Sequence, residues 1–275
     1  MDKTNLKPFI KWVGGKKDVI KKHLYQYLPK EFNCYYEPFL GGAAMLAYLK
    51  PKKAVVNDIN QELIATYQVI KKNLDKLIIQ LKSLEKLHCE SFYYKTRAEH
   101  NNKSIKLAAR FIYLNKTGFN GLYRVNKKGL FNVPFNKKAT IKLFKEPNLV
   151  EWSNYLNNYD IQFLNKDFKT FFKTVNLKEN DFVFVDPPYD YEVGSNSFTS
   201  YTKSGFNQFN QKELANYLKL LDQKGIKWML TNHNTKLINE LYQDYKIIPI
   251  QTNRNINCKS DLRKNNGNEV VIINY

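Results

Sequence analysis

The run FVFV at residues 182–185 constrains the fold more than any other part of this 275-residue chain. Four consecutive apolar residues without alternation indicate a strand that is buried on both faces, as in a parallel sheet. Asp186 follows the run, and Pro187 and Pro188 then end the strand because proline cannot donate to a sheet ladder. Since α/β proteins bind ligands at the carboxyl ends of parallel strands, we expect Asp186 and Tyr189 to lie at a binding site.

Further apolar segments occur along the chain and alternate with helical ones. Strands are predicted around CYYEPF, at 54–58 and at 227–232, with KIIPIQ and EVVIINY as closing strands. Helices are predicted over 16–28, 42–50 and 210–223. This alternation predicts an α/β fold with a doubly wound, mostly parallel, Rossmann-like sheet.

The stretch between Asp58 and Asp186 interrupts the alternation, because it is several times longer than the roughly 30 residues of one βα unit. Helical patterns fill its first part, at about 61–72, 74–87 and 104–115. The segment TGFNGLYRVNKKGLFNVPF then predicts a loop and a β-hairpin with NKKG as the turn. We therefore predict an α/β domain of residues 1–60 and 150–275, and an inserted, mainly helical subdomain of residues 61–149.

The charge of the chain is strongly basic and unevenly distributed. Lysine and arginine total 44 against 25 acidic residues, which leaves a net charge of +19. Residues 100–145 contain no aspartate or glutamate, whereas Arg124, Lys127 and Lys128 are among their basic residues and aromatic residues are interleaved. A generally basic soluble protein is the alternative, but a solvated face normally mixes both signs. A one-sign stretch favours a polyanion such as nucleic acid.

Cysteine, histidine and hydropathy patterns argue against several other classes of protein. Cys34, Cys89 and Cys258 are odd in number and far apart, so neither a disulfide framework nor a zinc cluster is indicated. The four histidines are scattered, and we predict no metal site. The N-terminus has no apolar signal region and no run approaches the roughly 18 residues of a membrane span. We expect a soluble, cytoplasmic protein.

The segment EPFLGGAA at 37–44 follows a strand and opens a helix, with Gly41 and Gly42 at the turn. Asp58 ends the next strand 17 residues after Gly41, near the spacing at which an acid meets ribose hydroxyls. Together they favour an adenosine-bearing cofactor, although the glycines could be a simple turn and Asp58 could cap the helix that follows. KWVGGKK is not a phosphate-binding loop, since Lys17 stands where that motif has serine or threonine.

The residues DPPY suggest one particular chemistry. The lone pair of an exocyclic amino group on a base is delocalised into the ring, which makes its nitrogen a poor nucleophile. If Asp186 accepted one N–H and the Pro187 carbonyl the other, the lone pair would be localised towards a methyl donor, and this stabilisation would mature in the transition state. Tyr189 offers a face for a base extruded from the duplex. A strand end without catalytic function is the alternative.

The chain resembles the Dam-type DNA adenine-N6 methyltransferases, the D12 class in the alpha order of motifs. The resemblance covers nearly the whole chain and rests on FIKWVGGKK, EPFLGGAA, NDIN, FNGLYRVN…GLFNVPF, FVDPPY and SFTSYT. It implies a methyltransferase fold, S-adenosyl-L-methionine as cofactor and double-stranded DNA as partner. By this resemblance the cofactor site consists of Trp12, Lys16, Glu37, Phe39, Gly41, Asp58 and Asp186. Ala43 is a departure, because many relatives have a third glycine there; we expect little effect.

The resemblance also implies how DNA is read. Phe119 takes the place of an aromatic residue that inserts into DNA. Residues that match those facing the recognition site are Lys11, Asn120, Leu122, Arg124 and Pro134. Family members with these residues commonly modify GATC. We expect nucleoid association and a functional pairing with a cognate restriction endonuclease that requires no stable complex. Three alternatives stay open: a different DNA site, an RNA base or protein glutamine as substrate, and a catalytically dead DNA-binding relative.

Overall fold

The computed structural model describes residues 6–99, 104–126, 128–191, 205–252 and 267–275. Lys127, Cys258 and the SFTSYT segment lie outside these ranges. Within the described residues, seven strands form one sheet in the order β3-β2-β1-β4-β5-β7-β6. The strands are β1 (Tyr35–Glu37), β2 (Lys53–Asn57), β3 (Asp160–Leu164), β4 (Phe182–Val185), β5 (Lys227–His233), β6 (Lys246–Thr252) and β7 (Gly267–Ile273).

The sheet confirms the predicted fold class. Strands β3, β2, β1, β4 and β5 are parallel, and β7 pairs antiparallel with both β5 and β6. All four residues of β4 are buried, as the non-alternating FVFV run predicts for a central strand. The sequence analysis missed β3, which pairs with β2 at one edge of the described sheet and alternates between the buried Ile161 and the exposed Gln162. An edge strand of this kind is short of apolar residues and so gives a weak signal.

The α-helices among the described residues are α1 (Lys17–Val19), α2 (Ala44–Leu49), α3 (Gln61–Lys72), α4 (Leu74–Lys86), α5 (Glu90–Ala98), α6 (Ser104–Thr117), α7 (Glu146–Asn158), α8 (Phe168–Thr174), α9 (Gln208–Gln223) and α10 (Lys236–Leu241). Helices α2, α3, α4, α6 and α9 lie at predicted positions, whereas α5, α7, α8 and α10 were not predicted. The single helix predicted over 16–28 is wrong. That stretch consists of α1, a π-helical turn over Ile20–Leu24 and a 3₁₀ turn over Tyr25–Tyr27. Leu28 is extended, as the residue before Pro29 tends to be.

The predicted hairpin is present without a regular ladder. Asn126 donates its backbone N–H to the Leu130 carbonyl at 2.8 Å, and Gly129 donates to the Asn126 carbonyl at 2.8 Å, which forms the NKKG turn. Among the described residues of this segment, strand pairing is limited to isolated bridges between Val125 and Phe131 and between Gly118 and Phe135. The side chains of residues 122–126 are all half-buried, so the alternation of a two-faced strand is missing.

One hydrophobic core joins the sheet to the helical part. Tyr67 of α3 stacks on Phe163 of β3, with ring centroids 5.5 Å apart and an interplanar angle of 15°. The same buried cluster includes Phe182 of β4 and Phe111 of α6. The division into two domains therefore stays a prediction. No helix among the described residues is long and apolar enough to cross a membrane.

Candidate active site and DNA interface

A cavity of about 1730 Å³ is lined by residues that follow the parallel strands. It brings together the residues predicted for catalysis and for the cofactor, although they come from distant parts of the sequence. The lining includes Trp12, Lys16, Glu37, Phe39, Gly41, Asp58, Asp186, Pro187 and Tyr189, and also Lys11 from the predicted DNA interface. This grouping arises because β1, β2 and β4 are neighbours in the sheet and end at the same edge.

Asp186 is the first residue after β4, and two side chains bind the same oxygen of its carboxylate. Lys16 Nζ lies 3.0 Å from Asp186 Oδ1, and Thr231 Oγ1 donates a hydrogen bond to that oxygen at 2.6 Å. Burial raises the pKa of Asp186, and both Lys16 and Thr231 oppose the rise. Both of these contacts go to Oδ1, so Oδ2 can accept a hydrogen bond from a ligand.

Tyr189 is held on three sides. Its hydroxyl donates to Glu269 Oε2 at 3.1 Å, and the ring edge of His233 meets it with centroids 4.7 Å apart and an angle of 75°. Lys16 Nζ lies 4.5 Å from the centre of the Tyr189 ring. Burial, with the nearby charges of Asp186 and Glu269, raises the pKa of Tyr189 well above its usual range, so the hydroxyl stays protonated. The ring therefore has a defined orientation at the cavity wall.

Two buried amides anchor the DPPY loop from behind, and the sequence analysis missed both. The Nε2–H group of Gln211 on α9 donates a hydrogen bond to the Pro188 carbonyl at 2.9 Å. Asn232 of β5 accepts the Asp190 backbone N–H at 2.9 Å and donates to Gln211 Oε1 at 3.2 Å. Both side chains are at most 1% exposed. The loop geometry is thus set by α9 and β5, and no local pattern in the sequence announces these partners.

The glycine turn is closed by Asp58. Gly41 has a φ of +48° and donates its N–H to Asp58 Oδ2 at 2.9 Å, while Asp58 Oδ1 accepts from the Asn60 N–H at 2.9 Å. The cap of α3 is Asn60, whose side chain accepts from the Leu63 N–H, so the capping alternative for Asp58 is wrong. Burial raises the pKa of Asp58 to about 6.

Two further features shape this turn. A Cβ at Gly41 would lie 2.7 Å from Trp12 Cδ1, so the tryptophan ring occupies the space that the glycine leaves. Ala43 is fully buried and has a φ of +54°. This left-handed conformation costs alanine about 1 kcal/mol relative to glycine. The structure therefore gives a reason why glycine would suit this position, and the reason is backbone conformation rather than close helix packing.

Glu37 is the last residue of β1 and is only 2% exposed. Its Oε2 atom has no hydrogen-bond partner among the described residues. Burial raises the pKa of Glu37 well above its usual range, and the charges of Asp186 and Asp58 raise it further. A buried carboxylate oxygen without a partner at a cavity wall is a group that a polar ligand could satisfy.

Apart from Lys11, the described DNA-reading residues lie on the turn after α6 and in the hairpin that follows it, and not among the residues that line the cavity. Phe119 is 42% exposed, and its backbone N–H donates to the Pro134 carbonyl at 2.8 Å. Asn120 has a φ of +53°. Asn115, which the sequence analysis missed, holds this turn against Lys11. Its side chain accepts from the Lys11 N–H at 2.9 Å and donates to the Lys11 carbonyl at 2.7 Å and the Gly121 carbonyl at 3.2 Å.

Arg124 and Lys128 lie further along the same segment. Arg124 donates Nε to Asn132 Oδ1 at 2.8 Å and Nη2 to the Asn132 carbonyl at 3.2 Å, which binds the guanidinium to the other arm of the hairpin. Leu122 is half-buried and Lys128 is exposed. Lys127, the remaining predicted DNA contact, lies outside the described residues. Among those residues, no group of three or more His, Cys, Asp or Glu could hold a metal ion.

Comparison with known proteins identifies the family. Residues 12–256 match the family described as D12 class N6 adenine-specific DNA methyltransferase. The chain belongs to this family. The match spans both the cavity residues and the DNA-reading turn, and it confirms the resemblance in the sequence. This protein is therefore a DNA adenine-N6 methyltransferase, and DNA is its substrate.

Named relatives align with the chain over almost its full length. The type II methyltransferase M.MjaIII of Methanocaldococcus jannaschii is 41% identical, over 98% of this chain and 99% of its own. The type II methyltransferase M1.LlaDCHI of Lactococcus lactis subsp. cremoris is 37% identical, over 100% and 97%. The DNA adenine methylase of Escherichia coli (strain K12) is 31% identical, over 93% and 91%. The description of the family to which the chain belongs names DNA, and not RNA or protein, as the substrate.

Proposed function

We propose that this D12-class enzyme transfers a methyl group from S-adenosyl-L-methionine to N6 of an adenine flipped out of duplex DNA, at a GATC-like site. The observation that carries the proposal is the arrangement at Asp186. Its Oδ1 is occupied by Lys16 and Thr231, which leaves Oδ2 to accept an amino hydrogen of the substrate. The Pro187 carbonyl is the second acceptor, and its direction is restricted by the two proline rings.

The cavity residues fit the proposed cofactor. The unpartnered Glu37 Oε2 and the Asp58 carboxylate match the polar groups of an amino acid and a ribose, and Gly41 lets a ligand approach the backbone. Trp12 and Phe39 supply apolar walls. When bound, S-adenosyl-L-methionine supplies an electrophilic methyl group. We therefore assign Trp12, Lys16, Glu37, Phe39, Gly41, Asp58 and Asp186 to the cofactor site.

The protein residues then act on the adenine. Asp186 and the Pro187 carbonyl accept the two amino hydrogens, which localises the nitrogen lone pair, and their interaction strengthens as the nitrogen gains positive charge. One of these hydrogens then leaves as a proton by way of the Asp186 carboxylate, which gives the neutral methylamino group. Tyr189 provides the stacking face for the extruded base, a movement that costs a few kcal/mol of lost pairing and stacking. Because Lys16 Nζ lies over the Tyr189 ring, the ammonium must move aside or the base must use the opposite face.

The choice of site is assigned to the turn and hairpin. Phe119 is exposed, as an inserting residue must be, and its backbone N–H donates to the Pro134 carbonyl. The other residues assigned to reading the site are close to Phe119 in sequence or are held against its turn by Asn115, and they are Lys11, Asn120, Leu122 and Arg124. Lys127 and Lys128 are proposed as phosphate contacts. The relatives named type II methyltransferases support a functional pairing with a restriction endonuclease, and the activity on DNA supports a location in the cytoplasm at the nucleoid.

The test is to express the enzyme in a host that lacks adenine methylation and to map N6-methyladenine across the genome. We expect methylation of the adenine in one short site, with none for Asp186→Ala. Purified enzyme should modify duplex DNA only when S-adenosyl-L-methionine is added. Methylation by Asp186→Ala at a substantial rate would refute the role of the carboxylate, and a modified sequence other than GATC would refute the site assignment alone.

A further inference from the structure

Tyr123 lies between the DNA-reading turn and the cofactor turn, and neither proposed site uses it. In the chain it stands between Leu122 and Arg124, both assigned to DNA reading. In space its ring stacks on Trp12, with centroids 5.8 Å apart and an interplanar angle of 26°. Its side chain also lines the cavity. The Tyr123 backbone is thus part of the DNA-reading segment, and the Tyr123 ring packs against the wall of the cofactor site.

Trp12 continues this contact to the glycine turn. Its indole ring fills the space beside Gly41 so closely that a Cβ there would lie 2.8 Å from Trp12 Nε1. The residue before it, Lys11, is packed against Gly121, where an added Cβ would lie 2.7 Å from Lys11 Cβ. Asn115 binds the Lys11 backbone on both sides of the residue. The segment with Lys11 and Trp12 is therefore held between the two turns.

The Tyr123 ring is itself fixed in place. Its hydroxyl donates to Glu62 Oε2 at 3.3 Å, and the other oxygen of Glu62 accepts from Arg110 Nη1 at 3.1 Å. The rings of Phe111 and Phe131 lie 5.5 and 5.6 Å away, centroid to centroid. Because the Tyr123 ring is fixed at its hydroxyl and packed against several aromatic rings, it cannot rotate independently of its neighbours. A shift of the DNA-reading segment therefore displaces the Tyr123 ring and, with it, Trp12.

We infer that Tyr123 is a positioning residue that couples occupancy of the cofactor site to recognition of the DNA sequence. This inference rests on the proposed function, in which Trp12 contacts the cofactor and Arg124 contacts a base. Cognate DNA that fixes the DNA-reading segment also fixes Trp12 and tightens cofactor binding. By linkage, the cofactor tightens binding of cognate DNA by the same factor. Non-cognate DNA, which leaves the segment unfixed, gives less coupling.

The experiment measures the Kd of S-adenosyl-L-homocysteine, which has no methyl group to transfer, with and without a short duplex that carries the methylation site. In the wild-type enzyme we expect the duplex to lower this Kd about 2- to 10-fold, the range for one aromatic pair. Tyr123→Leu removes the stack and should reduce the effect to less than about twofold. Tyr123→Phe keeps the ring and should retain the coupling. Tyr94→Leu, an exposed tyrosine on α5, is the matched control.

The possible results separate the inference from the proposed function. Loss of coupling in Tyr123→Leu, with coupling retained in Tyr123→Phe and Tyr94→Leu, supports the inference. Wild-type coupling in Tyr123→Leu, or no coupling in the wild-type enzyme, overturns it, even though both ligands still bind. A wild-type enzyme that does not bind S-adenosyl-L-homocysteine overturns the proposed function. Because a fully unfolded variant binds neither ligand, the coupling factor is read only from variants that melt cooperatively. If Tyr123→Leu does not fold, Tyr123→Met, which also removes the ring and has a more adaptable side chain, provides that reading.

Discussion

Thr231→Val should move the acid limb of the pH–rate profile to higher pH. The Thr231 hydroxyl donates to Asp186 Oδ1 at 2.6 Å from a fully buried position on β5. This bond stabilises the ionised carboxylate and so lowers the pKa of Asp186. Valine has nearly the same shape as threonine but cannot donate, so the substitution removes the bond with little change in packing.

The size of the shift follows from the strength of the bond. A hydrogen bond to a charged group contributes about 1.5–3 kcal/mol, and one pKa unit corresponds to about 1.4 kcal/mol. The protonated acid keeps part of this interaction, so the whole range is an upper bound on the difference between the two protonation states. Removing the bond should therefore raise the pKa of Asp186 and move the acid limb up by at most about two pH units. Asp186 must be ionised to accept the amino hydrogen, so activity should be lost at a higher pH than in the wild type, about tenfold per unit below the limb.

The assay is the single-turnover methylation rate of a duplex oligonucleotide, with cofactor and DNA saturating, measured across a pH series. Thr231→Ser keeps the hydroxyl and is the control, for which we expect the wild-type limb. A Thr231→Val profile whose plateau falls while its acid limb stays in place would refute the reasoning. In that case the hydroxyl would act by positioning Asp186 and not by tuning its ionisation.

Four further predictions concern residues around the same cavity and the DNA-reading segment. Because burial raises the pKa of Asp58 to about 6, KM for S-adenosyl-L-methionine should rise as pH falls below that value. Asp58→Ala should raise this KM at all pH values, abolish its pH dependence and leave DNA affinity unchanged. Tyr189→Ala should lower kcat more than Tyr189→Phe or Tyr189→Trp, since stacking needs an aromatic face, and equal losses would point to the hydroxyl. Arg124→Ala should reduce the binding free energy at the cognate site by about 1–3 kcal/mol and relax discrimination at one guanine. Lys128→Ala should instead weaken binding to all DNA sequences alike and reduce the slope of log affinity against log salt concentration by about one. Methylation rates on single-base variants of the site distinguish the two outcomes. Gln211→Glu, which removes the amide donor to the DPPY loop, should lower kcat about tenfold with both KM values unchanged, and a rise in KM alone would contradict that role.

The strongest sequence predictions concern elements that carry their own local signal. The FVFV run indicates a buried strand because burial on both faces forbids polar residues, and β4 is that strand. The asparagine and glycine of NKKG indicate the turn that closes the hairpin. The local signal is weaker elsewhere. Strand β3 was missed because an edge strand has few apolar residues. The single helix predicted over 16–28 is wrong because a π-helical turn interrupts that stretch. No residue pattern in that stretch predicts the π-helical turn.

The chemistry of the site is divided in the same way. The sequence by itself determined which groups end the strands and turns, namely Asp186, Tyr189, Asp58 and Gly41, because strand ends and glycine turns are local events. Only the tertiary structure decided their partners. Thr231 lies 45 residues from Asp186 in the chain, and Lys16 lies still further away on the N-terminal side. Both partners meet the carboxylate because of the order in which strands pair and helices cover the sheet, and that order depends on long-range packing that no short segment of sequence encodes.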